Sequence, residues 1–202
     1  MKPGKFILVT LVIACWIGCK SKEQVTQDPL AQYTVMGNRI VKNTFDTLRH
    51  SLQSAISQAG YENAVTYCKT AALSLTNTYG SDSIRISRTS LKYRNPANKP
   101  GIAEAEVLTS FEDQISQGIK TDSLKPIIIA GTNGTVHFYK PILLQPLCIA
   151  CHGSKSADIA PAVWDQLQTN YPSDMAYDYK VGDLRGMWHI TFEKKMIRSK
   201  VV

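Results

Sequence analysis

Two cysteines and a histidine form the sequence C-I-A-C-H at Cys148–His152. Thiols at this spacing can add to the two vinyl groups of a haem, and the adjacent histidine can reach the haem iron. The pattern therefore predicts one covalently attached haem c, with thioether bonds to Cys148 and Cys151 and with His152 as an iron ligand. A disulfide, a redox dithiol or half of a zinc site are the alternatives for the same residues.

The N-terminal segment has the pattern of a bacterial export signal. Residues 1–5 carry Lys2 and Lys5, and Phe6–Ala14 is an apolar run interrupted only by Thr10. This run is too short to span a bilayer but has the length of the hydrophobic region of a signal peptide. Small or apolar residues then precede Cys19, as in a bacterial lipobox, where the cysteine becomes the lipid-bearing N-terminus.

These features predict a signal peptide over residues 1–19 with lipidation at Cys19, a polar tether over residues 20–28 and a single haem-binding domain over residues 29–202. Trp16 is unusual three positions before a lipobox cysteine, so Cys15 is a second candidate for the processed residue. A plain signal peptide or an uncleaved anchor is a further alternative. We therefore expect an exported protein, held in the periplasm or cell envelope by a lipid in a bacterial membrane. Haem c attachment in bacteria also takes place outside the cytoplasm.

Cys68 is the cysteine to which these assignments give no role. Cys19 would carry lipid, and Cys148 and Cys151 would carry haem. A lone thiol in an oxidising compartment requires burial, intermolecular pairing or a metal. The same inventory disfavours zinc, which needs further Cys or His residues at short spacing. No βαβ pattern surrounds the cysteine pair, which disfavours a thioredoxin-like dithiol.

The composition is that of one globular domain. Hydrophobic residues make up 44% of the 202 residues, which is enough to form a core. The net charge is +7, but the basic residues are dispersed and not interleaved with aromatic residues, so nucleic acid is not an expected partner. After the signal region, no apolar stretch is long enough for a membrane helix.

The apolar spacing predicts long N-terminal helices. Asp28 and Pro29 are typical of a helix start, and helical spacing continues to about Gly60. A second helix is predicted from about Tyr61 to Tyr79, with Cys68 on its apolar face beside small alanines. Later helices are predicted over about 102–118 and 157–169.

Four segments have strand character, and together with the helices they predict an α+β fold with an antiparallel sheet. They alternate apolar and polar residues or are rich in β-branched and aromatic ones. Gly131–Gly134 joins the middle two as a hairpin. The predicted strands cover residues 83–90, 125–130, 135–139 and 186–192.

Several segments resemble a known family across nearly the whole mature chain. They are residues 63–72, R-T-S-L-K-Y-R-N-P-A-N at 88–98, C-I-A-C-H-G at 148–153 and Y-K-V-G-D-L-R-G at 179–186. In this order they resemble the bacterial c-type haem domains with a PAS-like fold, long described as a domain of unknown function and also called Tll-like haem domains. The resemblance implies a PAS-like antiparallel sheet flanked by long N-terminal helices. It also implies Cys/His ligation of the iron, with His152 proximal and Cys68 distal.

The remaining ligand candidates are a methionine, another histidine or an open position. Met36, Met175 and Met187 are expected in the core, because methionine commonly fills gaps there. His137 and His189 are expected to be structural or surface residues.

Three arginines are candidate contacts for the haem propionates. Arg88 and Arg94 lie in the longest family segment, and Arg185 lies in the last one. Guanidinium groups suit bidentate pairing with carboxylates. The alternative is that these arginines hold their loops in place.

Three functions from different classes fit the sequence. The first is electron transfer through a six-coordinate haem, with an unidentified redox partner. The second is a haem-based redox or gas sensor that acts through a signalling partner. The third, less favoured, is a peroxidase-type enzyme, which needs an open distal position. Membrane lipid is the other expected partner, through acylated Cys19.

Overall fold

The computed structural model describes residues 29–193. The predicted signal peptide, the tether and the lipidation candidates Cys15 and Cys19 lie outside the described residues. Within them, the helices are α1 (Ala31–Asn77), α2 (Ile102–Ser116), α3 (Ile149–His152) and α4 (Pro161–Asn170), and the strands are β1 (Ile84–Thr89), β2 (Ile127–Ala130), β3 (Val136–Leu143) and β4 (Leu184–Phe192).

Helix α1 is long but is interrupted where the sequence predicted a boundary. Ala59 and Gly60 have non-helical backbone angles, and the φ of Gly60 is +77°. A left-handed φ costs glycine little, because it has no Cβ. The break divides α1 into a first segment (residues 31–58) and a second segment (residues 61–77), as predicted. The helix begins at Ala31, after a turn at Pro29 and Leu30, slightly later than the sequence suggested.

The four strands form one antiparallel sheet with the order β1-β4-β3-β2. All four lie where strands were predicted, but β3 continues through Pro141 to Leu143. The extension ends at an irregularity in its pairing with β4 between Ile142 and Leu143. Pro141 lies beyond Tyr139, the last β3 residue that pairs with β2, and proline in sheets is tolerated at such edges. The α+β fold with long N-terminal helices is therefore confirmed.

The two faces of the sheet are covered by different helices. The first segment of α1 packs on one face through Tyr33 and Val41, which lie in a cluster with Phe138 and Ile190. Helix α2 covers the other face, on which Met187 and Tyr139 lie. Successive strand residues point to opposite faces, so neighbours such as Phe138 and Tyr139 belong to different clusters.

Two smaller clusters lie beyond the edge of this three-layer core. Val65 of the second segment of α1 packs against Val163 and Leu167 of α4, and Cys151 contacts this group. Leu144 packs with Ala176 and Tyr179, and Cys148 contacts that group. The C-x-x-C-H turn is therefore held between the two clusters. No helix among residues 29–193 is long and apolar enough to cross a bilayer.

Gly37 allows α1 to approach the sheet closely. A Cβ at this position would lie 2.6 Å from the ring of Phe138, which is fully buried. A glycine-to-alanine change inside a helix usually stabilises it by about 0.5–1 kcal/mol. Here we expect Gly37→Ala to destabilise the protein by about 1–3 kcal/mol, because the added methyl group overpacks the core.

The measurement is chemical unfolding of the purified protein, with Val35→Ala as the control. Val35 lies on the same helix and is 70% exposed, so its truncation should change stability by less than about 0.5 kcal/mol. A Gly37→Ala protein more stable than wild type would contradict the close packing.

Candidate functional site

A cavity of about 510 Å³ brings together the predicted site residues that the structure describes. It lies between both segments of α1, the adjoining ends of β1, β3 and β4, and the C-x-x-C-H turn. Its size is within the range of small-molecule and cofactor sites, about 300–1,000 Å³. Its lining includes Cys68, Arg88, Arg94, Cys148, Cys151, His152 and Arg185.

The two cysteines of the turn line the cavity as free thiols. Cys148 ends the 3-10 turn Pro146–Cys148, and Cys151 follows three positions later in α3, so they lie on the same side of the turn. Burial raises the pKa of both thiols, to about 11 for Cys151. Gly153 is needed directly after the turn, because a Cβ there would lie 2.7 Å from the Asp158 side chain and from the Ile149 carbonyl.

His152 is held in the form that binds a metal. Its Nδ1–H donates to the Ala176 carbonyl at 2.7 Å, which leaves the lone pair of the neutral ring on Nε2. Burial and the nearby cations Arg94 and Arg185 lower the pKa of the imidazole, so the ring stays neutral at pH 7. The edge of the ring also contacts Tyr179.

Cys68 lies on the second segment of α1 and lines the same cavity. Ala64, Val65 and Ala72 line the wall beside it, and their small side chains leave room for a flat group. Burial raises the pKa of the Cys68 thiol, whereas the positive charges of Arg88 and Arg94 oppose this rise. The inward orientation predicted from the helix phase is confirmed, but its role as an iron ligand stays a prediction.

Arg94 fastens the C-x-x-C-H turn to the segment that follows α4. Its Nε donates to Asp174 at 2.9 Å, and its Nη2 donates to the Cys151 and Ala176 carbonyls. The Asp174 side chain has no exposed surface, so this is a buried ion pair. These contacts favour the alternative in which Arg94 holds a loop, since most of its donors have protein partners.

Among the described residues, neither Arg185 nor Arg88 is paired with a carboxylate. Arg185 donates through Nη1 to Ser90 Oγ at 2.8 Å and to the Lys92 carbonyl at 3.0 Å. Arg88 makes one long contact, from Nη2 to the Ala72 carbonyl at 3.5 Å, and its buried Nε has no partner. Burial and the charge of Arg185 lower the pKa of Arg88 to about 10. A buried guanidinium without a carboxylate needs an anion in place of lost hydration.

The cavity is apolar and cationic. Among the described residues that line it, Arg49, Arg88, Arg94 and Arg185 are cationic and none is acidic. Apolar side chains such as Leu52, Ile56 and Trp188 form much of the rest. These residues fit a haem: two thiols one turn apart, an imidazole with a free Nε2, a thiol on the opposing helix, and unpaired cations for two carboxylates.

The sequence profile of the Tll0287-like family matches residues 26–193. The chain belongs to the Tll0287-like family. The crystal structure of the cyanobacterial heme-protein Tll0287 superposes with a TM-score of 0.53 and is 26% identical, covering 83% of this chain and 97% of that chain. No match was found among curated proteins. The fold of this Tll0287-like chain is therefore that of a family that includes a haem protein.

Sequence reasoning missed several residues that complete the site. Asp174 and Ala176 lie in the irregular segment after α4 and carried no periodic signal, yet they hold Arg94 and His152. The core prediction was right for Met187, which is fully buried, and wrong for Met175, which is 37% exposed in that irregular segment. Within residues 29–193, no three His, Cys, Asp or Glu side chains are placed to hold a metal ion together.

The buried pair predicts a large effect of Arg94→Gln on stability. The substitution leaves the Asp174 carboxylate buried without its cation, and breaking such a pair costs about 3–5 kcal/mol. Chemical unfolding measures this cost. Arg94→Gln combined with Asp174→Asn should recover part of the loss, because position 174 then carries no unpaired charge.

Arg85→Gln is the matched control. Arg85 pairs with Glu193 at 3.0 Å, but its side chain is 73% exposed, so the loss should be at most about 1 kcal/mol. Equal effects of the two arginine substitutions would show that the Arg94 contacts do not hold the turn.

Proposed function

We propose that this chain is an exported, lipid-anchored c-type haem protein with a redox role in electron transfer. One haem c is attached through Cys148 and Cys151, and its iron is ligated by His152 and Cys68. The observation that carries the proposal is the convergence of these four side chains in one cavity whose described charged residues are all arginines. Membership of the Tll0287-like family supports haem as the occupant.

The chain's own residues set the chemistry of the site. A haem bound here supplies a one-electron couple at its iron. His152 offers Nε2, because the Ala176 carbonyl fixes the Nδ1 proton. Cys68 offers sulfur from the opposing helix, and a thiolate there favours the oxidised state through its negative charge. Arg88 and Arg185 supply positive charge for the propionates.

Electron transfer is the preferred function because two candidate iron ligands, His152 and Cys68, face the cavity from two sides. Two such ligands would give the six-coordinate haem that suits electron transfer. A sensor is the second candidate, and one observation favours it. Burial raises the pKa of the free Cys68 thiol, and protonation of this thiol would open a coordination position at the iron. A ligand of this kind can be displaced by a small gas. A peroxidase would need a distal base, and the described lining of the cavity has no histidine besides His152.

The proposal predicts a covalent haem and a thiolate ligand. Expression with cytochrome-maturation machinery should give a protein whose intact mass includes one haem, and replacing both Cys148 and Cys151 by alanine should abolish this mass. Cys68→Ala should keep the covalent haem but lose the low-spin thiolate signal in the EPR spectrum. Its midpoint potential should rise, because the anionic ligand that stabilises ferric iron is gone. Thr70→Ala, an exposed change on the same helix, is the control.

A colourless wild-type protein would refute haem attachment, and an EPR spectrum unchanged in Cys68→Ala would remove Cys68 from the ligand set. Carbon monoxide separates the two functions. Rapid binding to the reduced wild-type protein would favour sensing, whereas fast electron exchange with a membrane-associated redox partner and no gas binding would favour electron transfer.

The membrane anchor has a separate test. Metabolic labelling with a radioactive fatty acid should mark the wild-type chain, and Cys19→Ala should lose both the label and the membrane association. Cys15→Ala is the matched comparison and should keep both. If Cys15→Ala loses the label instead, Cys15 is the processed residue. An unlabelled wild-type chain would exclude a lipid anchor.

A further inference from the structure

A second group of polar side chains lies on the sheet face that packs against α2. His137 of β3 pairs in register with Thr191 of β4, and His189 of β4 pairs with Tyr139. His137, His189 and Thr191 therefore point to one side of the sheet, together with Tyr139, which stacks on His189 at 4.4 Å between ring centroids. None of these residues lines the large cavity.

A chain of hydrogen bonds fixes the proton positions in this group. A carboxylate only accepts, so His189 Nδ1 donates to Glu104 Oε1 of α2 at 2.7 Å. The second ring nitrogen, Nε2, lies 2.9 Å from His137 Nδ1. His137 Nε2 lies 3.3 Å from Thr135 Oγ1. Two imidazole nitrogens thus point at each other and share one proton.

The separations of three donor atoms match a metal coordination sphere. Thr191 Oγ1 lies 3.2 Å from His189 Nε2 and 3.5 Å from His137 Nδ1, and the two nitrogens are 2.9 Å apart. Donors around a tetrahedral Zn²⁺ with bonds of about 2.0–2.1 Å are separated by about 3.3 Å. The three atoms are therefore spaced nearly as in such a sphere, and ion binding requires the two rings, which now face each other, to turn until both nitrogens point at the ion.

We propose that His137 Nδ1, His189 Nε2 and Thr191 Oγ1 bind a borderline divalent transition-metal ion, with Zn²⁺ as the probe. Imidazole nitrogen suits this class of ion. Glu104 is the positioning residue, because its bond to His189 Nδ1 orients the ring in the manner of a carboxylate–histidine–zinc arrangement. When the ion takes His137 Nδ1, the ring proton resides on Nε2 and is donated to Thr135 Oγ1. Water completes the coordination.

The surroundings suit a cation that enters from solvent. Two carboxylates, Glu104 and Glu193, and one guanidinium, Arg85, act on His137, so the nearby fixed charge is negative. Arg85 is paired with Glu193 at 3.0 Å. A depression of about 550 Å³ between the end of α1 and β1 borders the group at His189 and Thr191.

The test is calorimetric titration of the purified, untagged chain with Zn²⁺. We expect saturable binding of one ion per chain. His137→Gln with His189→Gln should abolish it, and Glu104→Gln should weaken it about 10- to 100-fold. His50→Gln is the control and should bind as wild type, because His50 is an exposed histidine on α1. Circular dichroism establishes that each variant is folded.

X-ray absorption of the Zn²⁺-loaded wild-type chain tests the site without any substitution. Two imidazole nitrogens at about 2.0–2.1 Å with oxygen neighbours are expected, whereas sulfur at about 2.3 Å would place the ion on the cysteines and overturn the proposal. Binding retained in the double histidine variant, or no saturable binding up to about 1 mM Zn²⁺, would also overturn it.

Discussion

The ion pair between Arg94 and Asp174 is the contact on which the geometry of the cavity depends. Arg94 follows β1, Asp174 follows α4, and the same guanidinium also reaches the carbonyls of Cys151 and Ala176. Ala176 in turn accepts the Nδ1 proton of His152. One side chain therefore connects the cysteine pair, the orientation of the histidine and the irregular segment, which lacks regular hydrogen bonds of its own. Because the ion pair is buried, hydrogen bonds to water cannot replace this contact.

The arginines of the cavity divide into different roles. Arg94 is paired with the Asp174 carboxylate and holds the C-x-x-C-H turn in place. Arg88 has a buried Nε without a partner and lies 5.7 Å from the Trp188 ring centroid, so its charge is only weakly balanced. A flat apolar ligand with two carboxylates would relieve this imbalance and fill the space beside the small side chains near Cys68. The positive charge and the apolar lining of the cavity are thus compatible with this class of ligand.

The sequence predicted those parts of the site whose geometry is local. The spacing of the C-x-x-C-H motif puts its two thiols on one side of the turn. The helical periodicity around Cys68 was enough to predict that this residue faces inward. The partners that complete the site depend on tertiary structure. Asp174 lies in an irregular segment, 80 residues after Arg94 in the sequence. The pairing of these two residues depends on the contact between two loops, which local sequence patterns do not predict. The contact between His137 and His189 likewise depends on the strand register, which the alternation of polar and apolar residues does not specify.

Strand β4 connects the two groups of functional candidates because its side chains alternate. Gly186 and Trp188 line the cavity, whereas Met187 and His189 face α2. A Cβ at Gly186 would lie 2.3 Å from the Thr89 carbonyl, so β1 and β4 approach each other closely where they border the cavity. The same strand thus borders the arginine-lined cavity on one side and carries a histidine next to a second histidine and a carboxylate on the other. The sheet separates the arginine-lined cavity from the histidines and Glu104.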